Sequence, residues 1–501
     1  MQQKIQLFAR DSAGGQTWNE WPNPLREFGK AGATVSRTVW VAAAIIGLVV
    51  VCILGFPERA SMVAIVAAVA VILPWGIYCT SQKVSRLLIV LVLIEAATAS
   101  SVVVATNSDL GALIRCPVEF LFCLPILLSV WRSKLLHQGG FRDYKIFLII
   151  ALASASYSQL PEITLVRAVA AILPFIALCA IAEEVHNGED ARRVMGILLA
   201  GCGIVVVVNV FALALVPAST LWQPDPDTGL LRFCGIFTGP NEIGSLAIAT
   251  LGAGFGYWPV TKGWKRALTA CVMVGSTILA VLADSRSPLA ASAIGVAIYF
   301  VWRYRLQGAI AIVALFTIVY SVFVSVPSLR VYVDRGDVAS FTGRQVAWDF
   351  AIRSIEERPL IGYGYDVEGQ ILESKYFDGW DEVWSEGYQT SLHNGYLSRA
   401  VSLGLPALLF WIFFITRPML MAFMPDQDEW SLRSIIWLSI LPTLILNLTE
   451  SIPDFGSFAG LEMAVVWMLL ERQRLFIQAK SAIHTAIAEE AKSLLVRALQ
   501  A

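Results

Sequence analysis

Ser391-Leu-His393-Asn394-Gly-Tyr-Leu397 is where a long polar segment ends and a hydrophobic run begins. The run, 396–415, has the length of about 20 residues that a helix needs to cross the hydrocarbon core. His393, one of four histidines in the chain, therefore stands at a membrane boundary. The rest of the chain repeats this pattern. Its 501 residues are 57% hydrophobic and 15% charged, where soluble domains run near a quarter charged. The mean hydropathy is +0.66. Further apolar runs lie near 38–56, 60–80, 87–105, 112–131, 146–160, 163–182, 194–217, 241–259, 267–283, 288–302, 308–326, 434–449 and 457–470. Several are short or contain proline, so about 12–14 transmembrane helices are expected. Lipid cannot satisfy open backbone groups and no barrel alternation is visible, so the fold class is all-α, a polytopic membrane protein.

Charge placement sets the phase. Lys83 and Arg86 follow the second run, Arg132, Lys134, Arg142 and Lys145 the fourth, and Arg192 and Arg193 the sixth. Lys262, Lys265 and Arg266 follow the eighth, Arg303 and Arg305 the tenth, and Arg472 and Arg474 the last. By the positive-inside rule these loops are cytoplasmic. Both termini then lie inside and the His393 boundary outside. The expected organisation is a cytoplasmic N-terminal tail 1–37, transmembrane helices 1–11 over 38–326, a large periplasmic loop 327–395, C-terminal transmembrane helices over 396–470, and a cytoplasmic amphipathic tail 471–501.

Composition also excludes. The net charge of −1 carries no nucleic-acid footprint, and no glycine-rich nucleotide loop stands in strand–helix context. The eight cysteines fall mostly in apolar runs with neither disulfide nor metal spacing. The first polar residues precede a full-length span, which reads as an uncleaved anchor.

The outer loop has internal order. Thr342 with Gln345 three residues on matches a helix capping box, and Val346, Ala347, Phe350, Ala351 and Ile355 recur on one face before Pro359 stops the helix. Gly362 and Gly364 predict a tight, bendable connection. Between Tyr376 and Tyr388 the loop is rich in rings and acids, which either stack on sugars or form the loop's own small core.

One histidine and five arginines carry most of the chemical argument. His393 sits in the first turn or at the cap of an apolar helix, whose positive end disfavours a second positive charge and keeps a ring nitrogen free to take a proton. Arg286, between two spans with almost no loop, either binds an anion or pairs with Asp284. Arg344 opens the loop helix, where a cation opposes the dipole unless something negative is held nearby. Arg232 precedes the turn to Pro240, Asn241 and Glu242, of which the last two read as substrate-facing or as capping residues. Arg115 and Arg167 lie at outward ends of spans, where they line the same cavity or snorkel. Several outer-face arginines and one poised base fit a diphosphate in the headgroup region, since guanidinium forks bind phosphate oxygens and steady the charge that grows as it leaves. No carboxylate cluster with metal spacing is visible, so no metal and no cofactor are expected.

Ser285-Arg286 opening a span, Thr-Gly-Arg344…Trp348, Pro359-Leu-Ile-Gly-Tyr-Gly364 and His393-Asn394-Gly-Tyr-Leu, preceded by Arg232-Phe-Cys-Gly-Ile-Phe-Thr-Gly-Pro-Asn241, resemble the O-antigen ligase and repeat-unit polymerase superfamily. The resemblance covers roughly residues 230–415. It implies a GT-C-like membrane glycosyltransferase in a bacterial inner membrane, moving a glycan from undecaprenyl diphosphate to an acceptor hydroxyl at the periplasmic face with inversion. His393 would be the base, Arg286 and Arg344 would hold the diphosphate, and Arg232, Asn241, Arg115, Arg167, Trp348 and Asn394 would line the substrate. Its partners would be the undecaprenyl-diphosphate-linked oligosaccharide, a glycan acceptor, membrane lipids, and a flippase and chain-length regulator. Polymerase is the first reading and ligase onto a lipid A core the second. A transporter is the alternative from another class, but transporters gather binding groups near mid-membrane, and these gather at one face.

Overall fold

The computed structural model describes residues 84–99, 133–224, 231–325, 344–376, 392–417, 432–452 and 456–500, with scattered positions between 119 and 130 and residues 419 and 420. The expected spans 38–56 and 60–80, most of 112–131, the tail 1–37, the Thr342 cap, Arg115, and the aromatic and acidic stretch beyond Tyr376 lie outside the described residues.

The described chain is helical apart from one two-stranded hairpin, β1 (Trp222–Pro224) against β2 (Leu231–Phe233), antiparallel with Gln223 opposite Arg232. The helices are α1 (Leu87–Thr98), α2 (Gly139–Ala153), α3 (Pro161–Glu184), α4 (Gly188–Leu215), α5 (Pro240–Tyr257), α6 (Trp264–Leu282) and α7 (Arg286–Ser325). After these come α8 (Arg344–Glu357), α9 (Glu368–Tyr376), α10 (Gly395–Thr416), α11 (Leu441–Leu446) and α12 (Phe458–Gln500). Among the described residues, six helices are long and apolar enough to cross a membrane: α3, α4, α5 with its short extension, α6, α7 and α10. α7 is two helices joined at a non-helical Arg305 (φ 53°, ψ −128°), which is why two separate runs, 288–302 and 308–326, are visible in the sequence. The runs 87–105, 146–160, 434–449 and 457–470 are helical in their described parts, but α1, α2 and the 436–446 segment are short, and α12 carries Glu462 and Glu471.

Local signals explain the starts. Pro161 and Pro240 sit at the first helical positions of α3 and α5, where a missing N–H costs nothing. The Asn187 side chain accepts from the Asp190 N–H at 2.9 Å, with Glu189 and Asp190 in the first turn of α4. The amphipathic tail is not a separate element: α12 runs unbroken from the core, and from Gln478 through Ser493 it is exposed.

Aromatic packing closes the core between α2, α3, α10 and α12. Tyr144 lies 4.9 Å from both Phe175 and Phe414, and Trp467 donates its ring N–H to the Phe414 carbonyl at 3.0 Å. One face is tied by charge. Glu184 accepts from the Val84 and Ser85 N–H groups at 3.0 and 3.1 Å, Glu471 from Gly140 N–H at 2.6 Å, and Arg417 pairs with Asp143 at 2.5 Å. Arg86, Arg142, Arg192 and Arg472 belong to this face by the alternation of the helices.

At the opposite face the polar loop docks onto α10. Phe350, Ala351, Tyr363, Val367, Ile371, Leu392 and Val401 form a second apolar cluster. The 359–366 turn lies against a break in α10 at Gly404 (φ 82°). There the Tyr363 N–H donates to the Val401 carbonyl at 3.0 Å, Gly364 N–H to Ser402 at 2.9 Å, and Leu405 N–H to Pro359 at 2.8 Å. Gly362 and Gly364 (φ 62° and 120°) thus form a fixed turn, not the bendable connection expected, because the kink's freed carbonyls hold it. Beside it Arg167 donates to the Asp366 carbonyl and to Gln370 Oε1 at 3.2 Å, and Ser402 donates to Glu368 Oε2 at 2.7 Å. Burial pushes the Glu368 carboxyl up, and the neighbouring Asp366 pushes the same way.

Two outcomes follow from this docking. A Cβ at Gly362 would meet the Val401 and Ser402 carbonyls, whereas at Gly263, with φ 53°, it would meet nothing within 4 Å. Gly263, with φ 53° and ψ −134°, holds a conformation nearly confined to glycine, so Gly263→Ala is expected to cost about 2 kcal/mol from backbone strain alone, and Gly362→Ala, which adds the clash, more than about 3 kcal/mol, in thermal unfolding of the purified protein. Glu368 is an acid whose folded value is raised, so its contribution to stability is present at low pH and lost as pH rises through that value. Glu368→Gln keeps an oxygen for Ser402 without the charge, so it is expected to leave the melting temperature at pH 8 equal or higher and to flatten its decline between pH 5 and 8.

Candidate active site

α10 begins at Gly395 because Asn394 caps it: the Asn394 side chain accepts from the Tyr396 and Leu397 N–H groups at 3.1 and 3.0 Å. His393 is thereby placed one residue outside the helix, with a left-handed backbone (φ 47°) that non-glycine residues seldom adopt. The turn after α11, residues 447–451, holds it there. Gly395 N–H donates to the Asn447 carbonyl at 2.8 Å and the Glu450 carbonyl at 3.1 Å, and Asn394 N–H donates to Ser451 Oγ at 3.1 Å. The approach is close enough that a Cβ on Gly395 would run into the Asn447 amide.

Glu450 on that turn joins two of the expected residues. Its Oε2 lies 3.1 Å from His393 Nδ1, and its Oε1 accepts from Arg344 Nη2 at 3.0 Å. Arg344 also donates through Nη1 to the Thr449 carbonyl. The negative group that a cation at the start of α8 requires is therefore the protein's own carboxylate. The side chains of His393, Arg344 and Glu450 are 21, 20 and 13% exposed, so the group is partly desolvated yet open to an incoming molecule. Trp348, one turn along α8, donates its ring N–H to the Leu392 carbonyl at 3.0 Å, fixing α8 against the histidine segment.

Arg286 lies at the same end of the bundle. α7 runs antiparallel to the segment leading into α11. Gly295 abuts the Trp437 carbonyl and Pro442, and Ala291 shares a cluster with Leu446, so the start of α7 comes level with the 447–450 turn. Arg286 Nε is 3.8 Å from Asp284 Oδ1, and Asp284 itself is buried with a left-handed backbone (φ 49°). Arg232 reaches from β2 to donate to the Ala283 and Asp284 carbonyls, both at 3.2 Å. It braces the turn that presents Arg286. Cys234 beside it is a buried thiol that burial pushes up to about 11 against the opposing pull of Arg232. Glu242, partly buried in the first turn of α5, lies within electrostatic reach of Glu95 and Glu450, and its buried Oε2 has no hydrogen-bond partner among the described residues.

The other expected residues fall elsewhere or serve other ends. Arg167 is engaged by the 366–370 segment rather than by this group, since Asp366 and Gln370 supply its partners. Asn394 is committed to the cap and to the Leu448 carbonyl, to which it donates at 3.2 Å. Asn241 lies in the first turn of α5, one residue after Pro240, and the cap position itself is Gly239, which has no side chain to cap with. Glu450 went unread in the sequence, because the apolar run 434–449 ends one residue before it. The available signal was an acid at the outward end of a span, in phase with His393. Among the described residues, no group of three or more His, Cys, Asp or Glu side chains is placed to hold a metal ion.

Residues 271–412 match the family model described as O-antigen ligase, and the matched stretch takes in Arg286, Arg344 and His393. No curated protein matches the chain. The chain is thus an all-α polytopic membrane protein whose residues 271–412 are similar to the O-antigen ligase family.

Proposed function

We propose that this enzyme of surface polysaccharide assembly transfers a glycan from undecaprenyl diphosphate to an acceptor hydroxyl at the face bearing His393. The juxtaposition of His393 and Arg344 on either side of Glu450, partly open at one end of the bundle, carries the reading. His393 presents Nε2 to the acceptor hydroxyl and takes its proton as the oxygen bonds to the anomeric carbon. The bond from that carbon to the diphosphate oxygen breaks on the opposite side, so configuration inverts. The charge released onto the diphosphate falls to Arg344 and Arg286, with Arg232 holding the Arg286 turn in place. Guanidinium groups supply the positive charge that a divalent ion supplies elsewhere, so the transfer runs without one. The alternating basic clusters support a periplasmic location for this face.

The acceptor is the growing end of a second lipid-linked repeat, which makes the enzyme a polymerase. Its partners in that role are a flippase that delivers the donor and a chain-length regulator. The family description favours a second reading, ligation to a lipid A core. In cells lacking the gene, single repeat units accumulate on the lipid carrier under the first reading, whereas complete polymer accumulates there under the second.

His393→Ala is expected to abolish glycan transfer in a null background while the protein still inserts; product at wild-type level removes the base. Arg344→Lys keeps charge but loses the fork, and is expected to lower activity about 100-fold. Arg353→Lys, exposed on the same helix, is the control that changes nothing. EDTA is expected to leave the rate of the purified enzyme unchanged.

A further inference from the structure

We propose that Glu450 is a positioning residue that couples capture of the diphosphate donor to the action of His393. The inference rests on the transfer reading given above and deepens it. A carboxylate only accepts, so the contact at 3.1 Å is made by an Nδ1–H of His393 donating to Glu450 Oε2. The proton on Nδ1 leaves the lone pair of the ring on Nε2. The other carboxylate oxygen takes Arg344 Nη2 at 3.0 Å, while the adjacent Thr449 carbonyl takes Nη1. Two of the five guanidinium N–H groups are thus anchored by the 449–450 backbone and side chain, and the remaining edge is left for an anion.

The carboxylate is held by its backbone as well as by its oxygens. The Glu450 carbonyl accepts from Gly395 N–H at 3.1 Å, two residues from His393, and Ser451 accepts from Asn394 N–H at 3.1 Å. Glu450 therefore cannot follow one partner without moving the other. In the empty site its single negative charge is divided between a guanidinium and an imidazole. When a diphosphate binds Arg344, the guanidinium gains a second counter-charge. More of the Glu450 field is then directed at His393, where positive charge appears as the acceptor proton arrives at Nε2. The proton stays on the imidazole, Glu450 remains ionised throughout, and it touches neither donor nor acceptor. Because Glu450 and the diphosphate compete for the same cation, the device weakens donor binding while it strengthens the base. Only a carboxylate can do both. An amide has one acceptor end and one donor end, so it can serve Arg344 and His393 together only if the Nδ1 proton of His393 moves to Nε2, which removes the acceptor lone pair there.

The test compares wild type, Glu450→Gln and Glu450→Asp, purified and reconstituted with a polyprenyl-diphosphate glycan donor and a glycan acceptor. Glu450→Gln is expected to lower kcat about 100-fold or more, towards the roughly 10,000-fold loss seen when the carboxylate partner of a triad histidine is neutralised. Its KM for the donor should stay the same or fall. Glu450→Asp should recover part of the kcat. In parallel, nitrogen NMR of histidine-labelled protein should place the His393 proton on Nδ1 in wild type and move it towards Nε2 in Glu450→Gln, a readout that needs no turnover. Wild-type kcat in Glu450→Gln overturns the proposal. So does a kcat loss accompanied by a rise in donor KM with the His393 tautomer unmoved, the pattern of a merely structural residue. Failure of the wild-type enzyme to transfer from this donor would instead overturn the transfer reading, and the NMR comparison would still decide whether Glu450 sets the tautomer.

Discussion

Hydrocarbon offers a backbone no partner for its N–H and C=O groups, and that constraint decides where everything else in this protein can be. Helices consume their own polar groups, so the interior of the bundle is left to apolar packing such as the Tyr144, Phe175, Phe414 and Trp467 cluster. Irregular backbone is left to the helix ends and to places where another segment satisfies it, as the 359–366 turn does at the Gly404 break in α10. The functional group of residues is accordingly assembled from three helix ends and turns: the entry to α10, the exit of α11 and the start of α8. None of them supplies the site alone.

What fastens these ends together is backbone hydrogen bonding from Gly395 N–H to the Asn447 and Glu450 carbonyls. Such bonds specify distance more sharply than side-chain packing does, because neither partner has rotamers to explore. The two arginine arms meet the group differently. Arg344 is tied through its own guanidinium to residues 449 and 450, whereas Arg286 projects from a turn whose carbonyls are held by Arg232. The first is a short, direct link. The second is a braced platform, and it leaves Arg286 43% exposed beside the buried Asp284.

The sequence was most legible where a single physical rule acts along the chain. Spans announce themselves by apolar length, and the alternation of basic clusters set the phase that puts His393, Arg344 and Arg286 at one end. The α8 helix was readable from its apolar face and from Pro359, and its described end at Glu357 fits that stop. Contacts between segments distant in the chain were not readable. Nothing local to Glu450 announces that residues 57 and 106 positions away will share its carboxylate. The partners that Arg167 and Arg232 take within the protein, Asp366 and the 283–284 carbonyls, were unreadable for the same reason: they come from other elements. The glycines at 362 and 364 were seen as freedom, although their positive φ angles serve a turn locked onto the break in α10.

The left-handed backbone at position 393 has a bearing on how saturation libraries at this site should be interpreted. Most L-residues incur about 1–2 kcal/mol in that conformation, while asparagine, aspartate and glycine tolerate it far better. Fitness scores across the twenty amino acids will therefore superimpose two gradients, one of proton affinity and one of tolerance for the twisted main chain. Asparagine separates them, since it retains the local geometry and discards the basic nitrogen.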